Sequence, residues 1–448
     1  MIARTIAFCL FGLAAAAYAA PPIEHWQTSN GARVFFSHAG ELPMVDIRVV
    51  FDAGGARDGV NKGLAVLTNA VLAEGAGGLS AEVISERFED QGADFEYSAL
   101  RDMAWVSLRS IAETANLQPA LETLALVLTQ PDFPELAFER QRKRLLVALA
   151  QKRQSPGDLA DEAFYQAAYG DHPYASDPNG ALETLNALNV KDLHQFYQRL
   201  YVARNTVLAI VGDLSKPEAQ AVANTVVGRL REGEAAEPLP DVRPPSAPLK
   251  RHLPHPSTQT HIRIGQIGIR RDDPDYFPLY VGNHVLGGSG LVSRLADEVR
   301  EKRGLSYSVS SYFSPMRVNG PFIVGLETKN AQAKEALEVT EATLRAFVEH
   351  GPTEKELSAA VMNLTGGFPL LIDSNAKIVE YLAMIGFYGL PVDFLQTFVD
   401  KIKGVTRDSI VEALHRRMAP SRLVTVTVGG NAPQTEAGPA LSEKKTPQ

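Results

Sequence analysis

The fold is decided by residues 69–100, NAVLAEGAGGLSAEVISERFEDQGADFEYSAL, whose pattern returns at residues 283–313, NHVLGGSGLVSRLADEVREKRGLSYSVSSYF. In each stretch the pattern predicts a helix that ends at glycines, then a charged helix, and then a strand with alternating side chains. A second pair, NTVLAIVGDLS from Asn205 and RLVTVTVGGNA from Arg422, reads as strands that end in glycine. The chain therefore contains two similar halves.

A Pro-rich segment separates these halves. Residues 231–258, REGEAAEPLPDVRPPSAPLKRHLPHPST, hold seven of the chain's 28 prolines, a density that excludes helix and central strand. We interpret the segment as an extended, semi-rigid linker. It divides the 448 residues into halves of about 200 residues each, an ordinary domain size.

Each half has strands near its ends and amphipathic helices between them. This order predicts an α+β fold of two homologous domains, each with helices packed on one face of a mainly antiparallel sheet. We place the N-terminal domain at 22–232, the linker at 233–257 and the C-terminal domain at 258–432. The polar residues 433–448 are predicted to be a disordered tail.

The N-terminus predicts secretion. Residues 1–19 contain a basic residue, an apolar run and the A-x-A sequence Ala17-Tyr18-Ala19, as in a cleaved signal peptide. An uncleaved anchor is the alternative, but the apolar run is short for a membrane span. The single cysteine, Cys9, lies in this segment, so the mature chain has no disulfide and no thiol ligand. We therefore expect a periplasmic protein with no membrane span after signal removal, and the net charge of -8 disfavours nucleic-acid binding.

The halves, the linker and the stretch DHPYASDPNGALETLNALNVKDLHQFYQRLYVARNTVLAIVGD at 171–213 together resemble the insulinase/pitrilysin-type zinc metallopeptidases, the inverzincins. The resemblance covers essentially the whole mature chain and implies a clam-shell arrangement of the two domains. In that family a helix carries H-x-x-E-H. The histidines and a distal glutamate hold zinc, and the glutamate of the motif is the general base for a zinc-bound water.

Aligned on that motif, the helix GLAVLTNAVLAEG at 63–75 has Val66, Asn69 and Ala70 in place of His, Glu and His. The distal glutamate falls at Ala148. None of these four side chains is a zinc ligand, so we expect no metal and no other cofactor on this chain. His252 and His255 form H-x-x-H in the linker and His284 has no partner histidine, so neither offers a substitute site.

The second half contains Arg300 and Tyr307, which are seven positions apart with Gly304 between them. We expect Arg300 to close a helix and Tyr307 to lie on the following strand. A basic helix end and an ordinary strand tyrosine are the alternative. The resemblance implies that the pair reaches a zinc site and hydrogen-bonds the substrate carbonyl and its oxyanion.

Three glycines precede this pair, at positions 287, 288 and 290. The resemblance implies a possible substrate loop at Gly287, Gly288 and Gly290, and a tight turn is the alternative. They are not a phosphate-binding loop, because G-K-[ST] is missing.

Together these features predict the Arg/Tyr-supplying subunit of a periplasmic heteromeric zinc endopeptidase that degrades peptides or unfolded segments. The zinc would reside in a homologous partner with an intact H-x-x-E-H motif, and the chain would be inactive alone. Two alternatives stay open: a catalytically inactive peptide-binding pseudopeptidase, and a structural subunit needed only for assembly.

Overall fold

The computed structural model describes residues 21–430, so the predicted signal peptide and tail lie outside the described residues. The strands of the first half are β1 Glu24–Gln27, β2 Arg33–His38, β3 Met44–Phe51, β4 Gly75–Ala76, β5 Leu79–Ser80, β6 Asp94–Ala99, β7 Ala104–Ile111 and β8 Thr206–Gly212. Its helices are α1 Leu64–Val71, α2 Ala81–Glu89, α3 Thr114–Thr129, α4 Glu135–Lys152, α5 Pro156–Tyr169, α6 Leu182–Ala187, α7 Val190–Leu200 and α8 Lys216–Val227.

The second half has the same kinds of element in a similar order. Its strands are β9 Leu249–Leu253, β10 Gln259–Ile267, β11 Val309–Phe313, β12 Pro321–Lys329 and β13 Val424–Val428. Its helices are α9 Tyr276–Asn283, α10 Ala333–His350, α11 Glu354–Gly367, α12 Asn375–Tyr388, α13 Phe394–Lys403 and α14 Arg407–Arg417.

Each half is built on one mainly antiparallel sheet. The first sheet has the order β1-β2-β8-β3-β7-β6 and the second has the order β11-β12-β10-β13-β9. Within these two sheets the parallel pairs are β2 with β8 and β13 with β9. The repeated strands β8 and β13 both lie inside their sheets, and every residue of β8 is buried, as a continuous apolar run predicts.

The two halves exchange a helix. Helix α12 of the second half packs across β8 and β3 of the first sheet, whereas α5 of the first half packs across β10 and β13 of the second sheet. Gly386 allows α12 to approach, since a Cβ there would lie 2.6 Å from the side chains of Phe35 and Val207. The opposite faces are covered by α1, α3 and α8 on the first sheet and by α9 and α10 on the second. Residues of both halves meet in two of the buried hydrophobic clusters.

Several helices begin where the sequence places a capping residue. The side chains of Asn189, Ser215, Thr353 and Thr406 each accept a hydrogen bond from a backbone N–H of the first turn, and their own backbone N–H groups donate to the side chain at N3. These capping boxes satisfy backbone N–H groups that an uncapped helix leaves unpaired.

The α+β, two-domain fold predicted from the sequence is confirmed, with the exchanged helices as an addition. The range predicted as linker contains the edge strand β9, which pairs with β13. This is possible because Leu249–Leu253 is a proline-free run between Pro248 and Pro254 at a sheet edge. Within residues 21–430 no helix is long and apolar enough to cross a membrane.

Candidate functional site

Helix α1, which carries the three substituted motif positions, is started by a buried carboxylate. Asp58 accepts hydrogen bonds from the backbone N–H groups of Gly63 at 2.7 Å and Ala65 at 2.8 Å. Gly63 has a φ of 94°, a left-handed conformation that glycine adopts without strain. Burial raises the pKa of Asp58 to about 7, although the N–H groups favour its charged form.

Asn69, which the sequence analysis predicts to replace the catalytic glutamate, is a buried structural residue with 1% exposure. Its Nδ2 donates to the carbonyl oxygens of Ser98 at 2.9 Å and Trp105 at 3.2 Å. Its Oδ1 accepts from the Tyr201 hydroxyl at 3.1 Å. Both ends of the amide are therefore occupied in holding α1 against β6 and β7, and the side chain is not free to act on a substrate.

The other three substituted positions offer only hydrocarbon. Val66 and Ala70 are half-buried on α1, and Ala148 is exposed on α4, the helix that packs against α1. Among residues 21–430 there is no group of three or more His, Cys, Asp or Glu side chains arranged to hold a metal ion. The donor set thus does not fit zinc, which needs nitrogen, sulfur or carboxylate ligands.

A cavity of about 300 Å³ remains beside Ala70, lined by Glu74 and Tyr97 among others. Glu74 is already paired, because its carboxylate contacts Arg140 and Gln141 on α4. Glu74 is therefore held by α4 and is not available as a substitute for the missing glutamate.

Arg300 and Tyr307 lie together on the second half. Arg300 is in a π-helical turn, Ala296–Glu301, and its guanidinium carbon lies 4.8 Å from the centre of the Tyr307 ring. Arg300 also contacts Glu301, 3.3 Å from Nε to the carboxylate. The Tyr307 side chain is 83% exposed.

The predicted strand position of Tyr307 is wrong, because β11 begins only at Val309. The hydroxyl of Ser306 lies 2.6 Å from the carbonyl oxygens of Ser308 and Glu327. This side-chain contact replaces regular strand pairing just before β11. Tyr307 consequently projects from a loop next to the sheet edge.

The three glycines form a compact turn. Gly287 and Gly288 end a π-helical segment, His284–Gly288, and Gly290 with a φ of 64° begins a short 3-10 helix. A Cβ at Gly287 would lie 2.4 Å from the Ser311 hydroxyl, so this glycine allows close packing against β11. The next two residues, Leu291 and Val292, are 62% and 86% exposed.

The chain does not bring the motif positions and the Arg/Tyr pair together. The hydrogen-bond partners of Asn69 all belong to the first half, and the packing partners of the Arg300 turn are β11, α10 and the 3-10 helix, all in the second half.

A buried polar cluster between the halves has no counterpart among the motifs of the sequence. The Asp102 carboxylate accepts hydrogen bonds from the Tyr174 hydroxyl, from the Tyr388 hydroxyl at 3.1 Å and from the Arg317 N–H at 2.8 Å. Burial raises the pKa of Asp102. Lone tyrosines and an aspartate far apart in the chain carry no local pattern, so only the tertiary structure reveals them.

Comparison with known proteins agrees with this architecture. The family model described as insulinase, peptidase family M16, matches residues 33–179, and the one described as peptidase M16 inactive domain matches residues 187–364. A solved Pseudomonas fluorescens structure, described as a peptidase M16 inactive domain, is 37% identical with a TM-score of 0.89, covering 92% of this chain and 99% of that one. The chain belongs to peptidase family M16.

Other relatives include inactive and active proteins. A Helicobacter pylori protein named non-peptidase homolog YmxG is 27% identical, with 82% of this chain and 85% of that protein covered. The structure of PqqL, a periplasmic protease of Escherichia coli, shares the fold with a TM-score of 0.77 and 16% identity, covering 92% of this chain but 46% of PqqL. Taken with its matched inactive domain, the chain is an inactive-type M16 member.

Proposed function

We propose that this M16 chain is the subunit that supplies Arg300 and Tyr307 to the zinc site of a second, homologous chain in a periplasmic heteromeric endopeptidase. The observation that carries the proposal is the exposed stack of Arg300 on Tyr307, at 4.8 Å with Tyr307 83% exposed. A tyrosine so exposed contributes little to the core of its own chain. A phenol hydroxyl and a guanidinium side by side are suited to a developing oxyanion.

The first half supports the same proposal because the predicted motif positions carry no zinc ligand and no free general base. Asn69 is fixed in structural hydrogen bonds, and the side chains at Val66, Ala70 and Ala148 have no donor for zinc. A catalytic metal would have to come from another chain that carries H-x-x-E-H.

The length of PqqL supports a second chain as well. This chain covers 46% of that protease, so a protease with this fold contains a further segment about as long as the present chain. In the proposed complex a separate zinc-bearing subunit takes the place of that segment, and a peptide or unfolded segment binds between the two.

The test is co-expression with an M16 chain of the same genome that retains H-x-x-E-H. We expect the two to co-elute on size exclusion, and we expect chelator-sensitive cleavage of a fluorogenic peptide only when both are present. The proposal fails if no complex forms with any such chain, or if a zinc-bearing chain is equally active with and without this one. Secretion is tested separately, by N-terminal sequencing of protein from the periplasmic fraction, where a mature start near Ala20 is expected.

A further inference from the structure

The second half contains a cavity of about 320 Å³ that the proposed function does not use. It lies between α9, the start of the π-helical segment and β11. Its walls are largely aromatic and apolar, and the residues that matter for recognition are Arg271, Tyr276, Tyr280, His284, Tyr312 and Phe313. A pocket of this size holds one or two amino-acid residues of a ligand.

Arg271 is the one charged side chain of this wall that is cationic at neutral pH, and it lacks an acidic partner. No Asp or Glu lines the cavity, and within residues 21–430 no carboxylate forms an ion pair with Arg271. Its Nε is buried without a hydrogen-bond partner, and its Nη2 contacts only the sulfur of Met384, a weak acceptor. A buried guanidinium N–H without an acceptor raises the free energy of the protein, and a ligand that accepts a hydrogen bond from it would remove this penalty.

The neighbouring acids are already occupied. Asp272 pairs with the adjacent Arg270, while Asp273 and Asp275 pair with arginines of α14. The chain itself therefore does not neutralise Arg271.

The remaining polar groups of the wall are neutral at pH 7. Burial raises the pKa of Tyr280 and of Tyr312 to about 12 each, and burial lowers the pKa of His284. The phenols stay protonated and the imidazole stays uncharged, so the cavity has a net positive charge from Arg271 alone. Tyr276 stacks on Tyr280 at 5.8 Å and lies 5.3 Å from the Arg271 guanidinium carbon, placing an apolar aromatic surface beside the cation.

We propose that this cavity binds a carboxylate attached to a hydrophobic residue, the chemistry of a peptide C-terminus ending in an aromatic or branched side chain. The carboxylate would accept hydrogen bonds from Arg271, and the side chain would pack on the tyrosines. A free hydrophobic amino acid presents the same chemistry. The inference does not depend on the proposed partner, because every group belongs to this chain.

The experiment is calorimetric titration of the purified chain with N-acetyl-Ala-Ala-Phe, with the same peptide as its C-terminal amide, and with free phenylalanine. We expect saturable binding of the acid, and binding at least about tenfold weaker for the amide. Tighter binding of the peptide acid than of phenylalanine supports the peptide end as the source, and the reverse supports the free amino acid, with the shared chemistry retained. No binding of either, or equal binding of acid and amide, overturns the proposal.

Two variants locate the site. Arg271→Met should weaken binding of the acid about tenfold or more, whereas Arg270→Met, which removes the neighbouring exposed and ion-paired arginine, should leave it within about twofold. Thermal unfolding of both variants checks that they are folded. Equal losses of affinity in the two variants contradict the assignment of Arg271. If Arg271→Met does not fold, the comparison of the acid with the amide on the unmodified chain still tests the proposal.

Discussion

Asn69 and Asn283 make the same hydrogen bond in the two halves of the molecule. Asn69 Nδ2 donates to the carbonyl oxygen of Ser98 at 2.9 Å, and Asn283 Nδ2 donates to that of Ser311 at 3.0 Å. Each amide ties the end of a helix to an edge strand of its own sheet. The sequence analysis predicts that Asn69 replaces the catalytic glutamate of active relatives, and here Asn69 has the same structural role as Asn283 in the second half.

Replacing Asn69 by aspartate should therefore destabilise the fold. The substitution removes the N–H donor to two backbone carbonyls and places a carboxylate against them in a site with 1% exposure. We expect a loss of about 3 kcal/mol in the free energy of unfolding, measured by urea denaturation at pH 7. The exposed Asn186→Asp should change stability by less than about 0.5 kcal/mol. Equal stability of the two variants would show that the Asn69 bonds contribute nothing.

The exchange of helices between halves depends on close approach at Gly386. A Cβ there would lie 2.6 Å from the Phe35 and Val207 side chains, so Gly386→Ala should lower stability by about 1–3 kcal/mol through overpacking. Gly366→Ala, also within a helix but with nothing within 4 Å of the added carbon, should be neutral or stabilising by up to about 1 kcal/mol. Melting temperatures that move in the same direction for both variants would contradict the packing argument.

The sequence was sufficient for the overall fold because the repeated elements have local signals. Capping residues, glycines at helix ends and apolar strands each act within a few residues, whereas the substituted motif positions follow only from the family resemblance and stay a prediction. Which sheet α5 or α12 covers has no such signal, because the strands that each helix contacts lie in the other half of the chain. The alternating pattern predicts a strand through Tyr307, whereas regular pairing begins only at Val309, two residues later, because the Ser306 hydroxyl binds the neighbouring carbonyl groups. Arg271 could not be singled out from the sequence, because its lack of an acidic partner is a property of the tertiary structure.

Stability should also depend on the protonation of Asp58. Burial raises its pKa from 3.8 to about 7, so the folded state binds a proton that the unfolded state has released between these values. The contribution of protonated Asp58 to the free energy of unfolding is fully present below pH 4 and is lost as the pH rises through 7. The free energy of unfolding falls by at most about 1.4 kcal/mol per pH unit because of this group.

The check is the urea midpoint of the unmodified chain and of Asp58→Asn at several values between pH 5 and pH 8. We expect the variant to show a smaller decline, because asparagine has no proton to lose. Asp90→Asn, at an exposed helix end, should retain the slope of the unmodified chain. Other buried groups determine the residual slope: the raised pKa values of Asp46 and Asp102 act in the same direction as Asp58, whereas the lowered pKa values of three histidines, His172, His261 and His284, act in the opposite direction. An unchanged slope in Asp58→Asn contradicts the assignment.

The substituted motif positions predict that the purified chain retains less than about 0.1 zinc per molecule after dialysis and hydrolyses no peptide alone. Elemental analysis and a fluorogenic assay measure both. Near-equimolar zinc or chelator-sensitive cleavage would contradict the assignment of Val66, Ala70 and Ala148.

The same positions can be tested by gain of function. The triple variant Val66→His, Ala70→His, Ala148→Glu restores two imidazoles on one helix face and a carboxylate on the helix packed against it. We expect it to bind about one zinc per chain. With Ala150→Glu in place of Ala148→Glu, the carboxylate lies on another face of α4 and tight binding should be lost. Equal zinc content in the two variants would show that the alignment at Ala148 is wrong.

Arg300 and Tyr307 are tested in the reconstituted complex. If the phenol stabilises the oxyanion in a partner's zinc site, Tyr307→Phe should lower kcat by about 10²–10³ and leave assembly intact, because the hydroxyl is exposed and the ring still stacks on Arg300. Arg300→Ala should raise KM as well as lower kcat, since a contact to the ground-state carbonyl is also lost. Arg300→Lys should restore activity only in part, because an ammonium lacks the planar fork of the guanidinium.

The matched control is Arg303→Ala, which removes an exposed arginine of the same basic segment that pairs with Glu298. It should leave kcat and KM within about twofold and alter stability by at most about 1 kcal/mol. Steady-state kinetics, with zinc content and elution volume recorded for every variant, separates a catalytic defect from failed assembly. Wild-type kcat and KM in both Tyr307→Phe and Arg300→Ala complexes would contradict the assignment and favour a peptide-binding or structural subunit, because an ordinary helix-end arginine affects stability and has no effect on rate.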